Sequence, residues 1–226
     1  MNSRRRNDQK IRKITGISML LALAIVLQIL SNYIAITIGT LTLSITLALI
    51  PIVLAGILYG PLSGFLVGTA VGAITIAAPS TLANIAALQA VSAHPGMLTF
   101  YVVLLCLFKM GLAGLFSALL FSLLNRFHHF AAGVVVASLS APLFNTGLYI
   151  LFTLTMLRDE MMALCGVELG GLASTLMATF ISVNFLVEFA VNAALSPAIL
   201  YLTKYFFRKK DIGSSSIGIR EEKKAN

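Results

Sequence analysis

Long apolar runs separated by short polar segments make up most of the chain. A helix needs about 20 largely apolar residues to cross a bilayer, and six stretches approach or exceed that length. The pattern predicts helices over residues 14–36, 41–59, 61–78, 99–124, 130–157 and 172–205. Gly60 and Pro61 divide the second helix from the third. The less hydrophobic segment 79–96 is predicted to form a long loop or a re-entrant segment. We therefore expect an all-α fold, a polytopic bundle of six transmembrane helices.

The composition agrees with a membrane location. Hydrophobic residues make up 58% of the 226 positions, charged residues make up 11%, and the mean hydropathy is +0.96. A soluble domain carries about 25% charged residues, so this chain has too little polar surface to cover a globule in water. We expect three parts: a basic tail (residues 1–13), a six-helix membrane domain (14–207) and a charged tail (208–226) that is predicted to be disordered.

The distribution of charge predicts how the bundle is oriented. The formal net charge is +8, and the basic residues lie mainly in the two tails. Basic segments that flank transmembrane helices stay on the cytoplasmic side, so both termini are predicted to be cytoplasmic. The segments 79–96 and 158–171 then face outwards. The same distribution favours the lipid bilayer over nucleic acid as the partner of the basic residues.

A few polar residues interrupt the apolar helices. Lys109 and Glu188 are ionisable, and such residues inside a membrane usually face a partner or a wet cavity. Asn145 and Asn184 lie at compatible depths on the fifth and sixth helices, because each residue adds about 1.5 Å along a helix. We predict that Lys109, Asn145, Asn184 and Glu188 line a substrate cavity open to the outside. The alternative is a buried Lys109–Glu188 ion pair, with the asparagines joining helices.

Asn192 lies on the same helix face as Glu188, four residues further on. It is deeper in the predicted membrane, and we interpret it as a contact between helices rather than as a ligand residue.

Small residues mark two helix faces at which helices can approach closely. Gly64, Gly68 and Gly72 lie on one face of the third helix. Ser18 and Ala22 are one turn apart on the first helix. Each patch could pack inside the bundle or against another protein. For Ser18 and Ala22 we predict a membrane-embedded partner.

The sequence lacks the common nucleotide-binding and catalytic motifs. The sequence has no G-x-x-x-x-G-K-[ST] phosphate loop, no H-E-x-x-H and no G-x-S-x-G. Cys106 and Cys165 have no metal-ligand spacing. We therefore predict no catalytic residues, no metal site and no cofactor in this chain, which is not expected to be an enzyme.

Four stretches resemble the S components, or substrate-binding subunits, of energy-coupling factor (ECF) vitamin transporters. They are ISMLLALA (17–24), LIPIVLAGILYGPLSG (49–64), NFLVEFAVN (184–192) and SPAI (196–199). The resemblance implies a subunit in the plasma membrane of a prokaryote that captures a vitamin or related micronutrient outside the cell. It also implies a transmembrane coupling protein with two ATPase subunits, so ATP would be used by the partners. The family's docking surface has Ala-xxx-Ala on the first helix, where this chain has Ser18 and Ala22.

The identity of the substrate is open at this stage. The chain has no tryptophan, and the predicted cavity helices carry few aromatic residues. This weakens the case for flat ligands such as riboflavin or thiamin, whose rings suit stacking on aromatic side chains. Lys109, Asn145 and Asn184 suit a flexible ligand with carboxylate and amide groups, such as pantothenate. Two other classes of protein stay open: a small secondary transporter or channel, and an intramembrane enzyme or its accessory.

Overall fold

The structure is a computed structural model that describes the backbone of residues 2–38, 41–179 and 185–225, and the side chains of 7–34, 45–168, 170–178 and 185–208. Within these residues the elements follow one another as α1 (Asn2–Ser31), β1 (Ala35–Ile38), β2 (Leu41–Ser44), α2 (Leu49–Tyr59), α3 (Pro61–Ile76), α4 (Pro79–Gln89), α5 (Pro95–Arg126), α6 (Phe130–Met156), α7 (Arg158–Cys165), α8 (Leu169–Thr179) and α9 (Leu186–Ala225).

Four of these helices are long and apolar enough to cross a membrane on their own, namely α1, α5, α6 and α9. Two bent pairs reach the required length only when each pair is taken as one span: α3 with α4, bent by 64°, and α7 with α8, bent by 76°. The described part of the chain thus offers four to six crossings. The predicted helical bundle is confirmed, while the count of six stays a prediction. α2 has only 11 residues, about half the thickness of the hydrocarbon core.

The predicted bounds of the first two helices are wrong between residues 31 and 49. Residues 35–38 and 41–44 form the antiparallel hairpin β1–β2, in which Thr37 pairs with Thr42. The sequence AITI and LTLS alternates apolar residues with threonine, which is the period of a strand rather than of a helix. The first helix consequently ends at Ser31 instead of 36, and the second begins at Leu49 instead of 41.

Both predicted outer loops contain helices. The segment 79–96 holds α4, which has proline at its first position, and 158–171 holds α7. Proline is well tolerated there because the first amides of a helix have no intrahelical partner. The single helix predicted over 172–205 is represented by α8 and by the first half of α9, between which residues 180–184 lie outside the described part. α9 continues through the charged tail to Ala225, and the disorder of that tail stays a prediction.

Helices α3 and α5 touch along what we call the glycine seam (Gly64, Gly68, Gly72, Gly111 and Gly114). A Cβ atom added to Gly64 would lie 2.8 Å from the Gly114 carbonyl oxygen, and one added to Gly68 would overlap the Met110 carbonyl. The glycine face of the third helix therefore packs inside the bundle, against α5. The sequence had left this open.

Apolar side chains form three clusters of buried residues around the seam. One joins α4, α5, α6, α7 and α8, another joins α2, α5, α6 and α9, and the third joins α1, α2, α3 and α5. α4 contacts both β2 and α7, so the hairpin, α4 and α7 lie at one end of the bundle, the hairpin end. Of the polar residues singled out from the sequence, Lys109, Asn145 and Glu188 lie towards this end.

Candidate functional site

Glu188 lies in the first turn of α9 and is only 1% exposed. Its Oε1 accepts a hydrogen bond from the backbone N–H of Thr46 (2.8 Å), and its Oε2 accepts one from Nδ2 of Asn145 (3.2 Å). The carboxylate therefore joins α9 to α6 and to the chain between the hairpin and α2. A carboxylate in a membrane protein needs such partners, because leaving it unpaired in an apolar region costs several kcal/mol.

Lys109 lies on α5 and is half-buried. Its Nζ is 5.4 Å from the centre of the Tyr149 ring, a distance at which a cation is attracted by the face of the ring. Among the described side chains, no carboxylate oxygen lies within 4.0 Å of this ammonium group. Lys109 still interacts electrostatically with Glu188. The alternative of a direct Lys109–Glu188 ion pair is therefore not what the structure contains.

The asparagines differ in their surroundings. Asn145 on α6 is 2% exposed. Its Nδ2 donates to Glu188, and its Oδ1 has no hydrogen-bond partner among the described residues. Nδ2 of Asn192 donates to the backbone carbonyl of Glu188 (2.8 Å), one turn earlier on the same helix. Asn192 thus makes no hydrogen bond to another helix within the described residues. Asn184, the fourth predicted ligand residue, lies outside the described residues.

Lys109, Asn145 and Glu188 come together with Thr46 and Tyr149, and we call these five residues the polar cluster. They are contributed by α5, α6, α9 and the segment before α2. Three of the four residues predicted from the sequence therefore share one site. Thr46 was missed because it contributes its backbone amide, which every non-proline residue carries, so the amino-acid type gives no indication of it.

Other buried polar groups near the hairpin end were not predicted. Gln28 on α1 is 1% exposed, and neither of its side-chain amide atoms has a hydrogen-bond partner among the described residues. The hydroxyl of Thr146 on α6 is also buried and has no hydrogen-bond partner among the described residues. Gln28 could have been found, since it is a polar residue inside an apolar run on the same face as Ala24 and Ser31.

A small groove lies beside the polar cluster. It encloses about 100 Å³ and is lined by Leu143, Thr146, Gly147, Ile150 and Phe185. Pockets for small ligands commonly measure about 300–1,000 Å³, so this groove is too small to hold a vitamin as it stands. It contains neither Lys109 nor Glu188. We therefore base the site on the polar cluster rather than on the groove.

The predicted docking residues Ser18 and Ala22 are both exposed on α1. The opposite face of the helix is turned towards the bundle: Ala24 is fully buried, and a Cβ atom on Gly16 would collide with Tyr59 of α2. Within the described residues, Ser18 and Ala22 thus lie away from the face that packs on α2 and α3. Their contact with a partner stays a prediction.

Residues 12–210 match the family profile described as "ECF transporter, substrate-specific component". The match covers most of the 226 residues and includes the whole polar cluster and the exposed patch on α1. No curated protein and no solved structure matched the chain. The resemblance found in the sequence is confirmed, and the chain belongs to the family of substrate-specific components of ECF transporters.

Proposed function

We propose that this protein is the high-affinity substrate-binding subunit of an ECF-type importer for a vitamin or a related micronutrient, in the plasma membrane of a prokaryote. The polar cluster carries the proposal. It brings a lysine, an asparagine and a glutamate together inside the membrane part of a family member. Polar groups at such depth are costly, and they usually mark the path or binding site of a substrate.

The chemistry of the cluster favours an anionic substrate with hydrogen-bond donors. Lys109 offers an ammonium group that has no carboxylate oxygen within 4.0 Å among the described side chains, and Asn145 offers an unpartnered carbonyl oxygen. A carboxylate would pair with the lysine, and a hydroxyl or amide N–H would donate to the asparagine. Pantothenate combines these groups and is our single best choice. Asn184 stays in the proposed set of ligand residues.

We propose that both termini are cytoplasmic, so that the hairpin end faces outwards. Cysteines at two exposed positions test this in a Cys165→Ser background: Ala163→Cys on α7 and Phe127→Cys between α5 and α6. In intact cells an impermeant thiol reagent should label the first and spare the second. The reverse pattern would overturn the topology.

Release of a tightly bound substrate into the cell needs work that this chain has no nucleotide motif to perform. We propose that a transmembrane coupling protein and two ATPase subunits supply it, and that Ser18 and Ala22 form part of the docking face. Small residues let helices approach closely, and association in lipid depends on such packing. Large side chains at both positions should therefore prevent docking without disturbing the bundle, since both residues are exposed.

The experiment compares Ser18→Leu/Ala22→Leu with a control on another exposed helix face, Leu195→Ala/Leu202→Ala on α9. The docking variant should lose co-purification of the coupling protein and ATP-dependent uptake, while substrate binding is kept. The control should keep all three. Loss of binding together with folding would show that the patch belongs to internal packing. Uptake by the purified chain alone in liposomes, without ATP, would instead identify a stand-alone secondary transporter.

A further inference from the structure

The residues that connect the hairpin to α2 are held by an unusual set of hydrogen bonds. In the segment 45–48, which we call the junction, three consecutive backbone N–H groups each have a different acceptor. Ile45 donates to the Ile34 carbonyl (3.4 Å), Thr46 donates to Glu188 Oε1 (2.8 Å), and Leu47 donates to Ser31 Oγ (3.0 Å). Two of the three acceptors are side chains from distant parts of the sequence.

The junction needs these acceptors because it is buried without regular structure. Ile45, Thr46 and Ala48 are 8%, 5% and 0% exposed, and residues 45–46 belong to neither strand nor helix. A buried N–H without a partner loses its bond to water and gains nothing in return, at a cost of about 1–3 kcal/mol. Glu188 removes that cost at Thr46.

The surroundings of Glu188 leave little room for a ligand. Its two oxygens are engaged by donors of the same chain, from the junction and from α6, and the residue is 1% exposed. Lys109 on α5 acts on it from a greater distance, and Asn192 on α9 contacts its backbone carbonyl. A substrate would have to displace the junction or Asn145 to reach the carboxylate.

We propose that Glu188 is a positioning residue of the substrate site: it fixes the junction against α6 and α9 and orients Asn145, rather than contacting the substrate. By accepting from Nδ2, the carboxylate leaves the carbonyl oxygen of Asn145 as the unpartnered group of that amide. Glu188 thereby determines that Asn145 presents an acceptor. That the site binds a substrate rests on the proposed function, whereas the contacts of Glu188 do not depend on it.

Glutamine at position 188 separates hydrogen bonding from charge. The Oε1 atom of the glutamine can accept from Thr46. Its Nε2 can donate to the unpartnered Oδ1 of Asn145 once the Asn145 amide rotates to bring Oδ1 towards position 188. Glu188→Gln should therefore keep the junction in place, whereas Glu188→Ala removes both bonds. Glu168→Ala changes an exposed carboxylate near the hairpin end and serves as the control.

The measurement is hydrogen–deuterium exchange of the purified, ligand-free chain in detergent, with fragmentation that resolves amides 45, 46 and 47. In Glu188→Ala the Thr46 amide should exchange about tenfold faster or more, because it loses its acceptor. Glu188→Gln and Glu168→Ala should exchange like the wild type. In Ser31→Ala the increase should fall on Leu47 instead of Thr46.

Three results would overturn the proposal. The first is unchanged exchange at Thr46 in Glu188→Ala. The second is an increase spread evenly over α6 and α9, which would indicate general loss of folding. The third is a Glu188→Gln variant as unprotected as Glu188→Ala, since the charge itself would then be required. No ligand enters this experiment, so its failure is distinguishable from failure of the proposed transport function.

Discussion

In the glycine seam, α3 and α5 touch backbone to backbone, whereas around Glu188 the helices meet through side chains. A Cβ atom added at Gly68 or Gly72 would overlap a carbonyl of α5. At the polar cluster, by contrast, a carboxylate and an amide span the gap between α9 and α6. The seam contains no group that could select a ligand, and the cluster contains several. We expect the seam to hold α3 and α5 at a fixed separation, and the cluster is the part that we propose for substrate recognition.

The largest expected effect comes from adding one methyl group to the seam. In Gly68→Ala the new Cβ would overlap the Met110 carbonyl, so the helices must separate, at a cost of about 1–3 kcal/mol. The same substitution at Gly147 in α6 meets nothing within 4 Å. There it should be neutral or stabilising, because alanine favours a helix over glycine by about 1 kcal/mol.

Heating the detergent-solubilised variants and following the monomer peak by size-exclusion chromatography measures this difference. The midpoint of Gly68→Ala should fall by several degrees, while that of Gly147→Ala should stay or rise. Equal midpoints for the two variants would contradict a tightly packed seam.

A smaller effect, on substrate binding, is expected at Asn145. Asn145→Ala removes the acceptor that we propose for the substrate, which contributes about 0.5–1.5 kcal/mol. Substrate affinity should fall about five- to tenfold, and the thermal midpoint should fall as well, because Oε2 of the buried Glu188 carboxylate loses its donor. Equilibrium binding of the transported substrate measures the loss.

Asn125→Ala, an exposed asparagine at the end of the bundle away from the hairpin, is the matched control for this measurement. If Asn145→Ala binds as tightly as that control, Asn145 is not in the substrate site.

The two regions also differ in how far sequence could predict them. The glycines of α3 recur every four residues, so one face of one helix is visible in the sequence, and only its partner α5 had to come from the structure. The contact between Thr46 and Glu188 joins residues 142 positions apart and uses a backbone amide. Nothing in the residue types indicates it.

The bounds of a helix could be predicted where they depend on the local sequence. The length of the apolar runs predicted the central parts of α1, α5 and α6 correctly. It failed at residues 35–44, where a two-residue period was read as helix, and it gave no indication of α7, which is short and polar. The segment 79–96 was predicted as a long loop or a re-entrant segment, and the bend of 64° between α3 and α4 fits a re-entrant segment or a broken span. Lys109, Asn145 and Glu188 were recognisable because polar residues are rare in apolar helices. Their arrangement was not predictable, because the choice between an ion pair and separate partners depends on side-chain distances.

We propose that the polar cluster binds a small, carboxylate-bearing substrate through Lys109. Native mass spectrometry of the chain purified from cells tests it directly, with Lys109→Met compared to Lys204→Met, an exposed lysine on α9. The wild type and Lys204→Met should each carry one small molecule, identifiable by its mass as a carboxylic acid, and Lys109→Met should have lost it. A folded wild-type chain that carries no such molecule, or a Lys109→Met variant that retains it fully, would show that Lys109 does not hold a carboxylate-bearing substrate in this cluster.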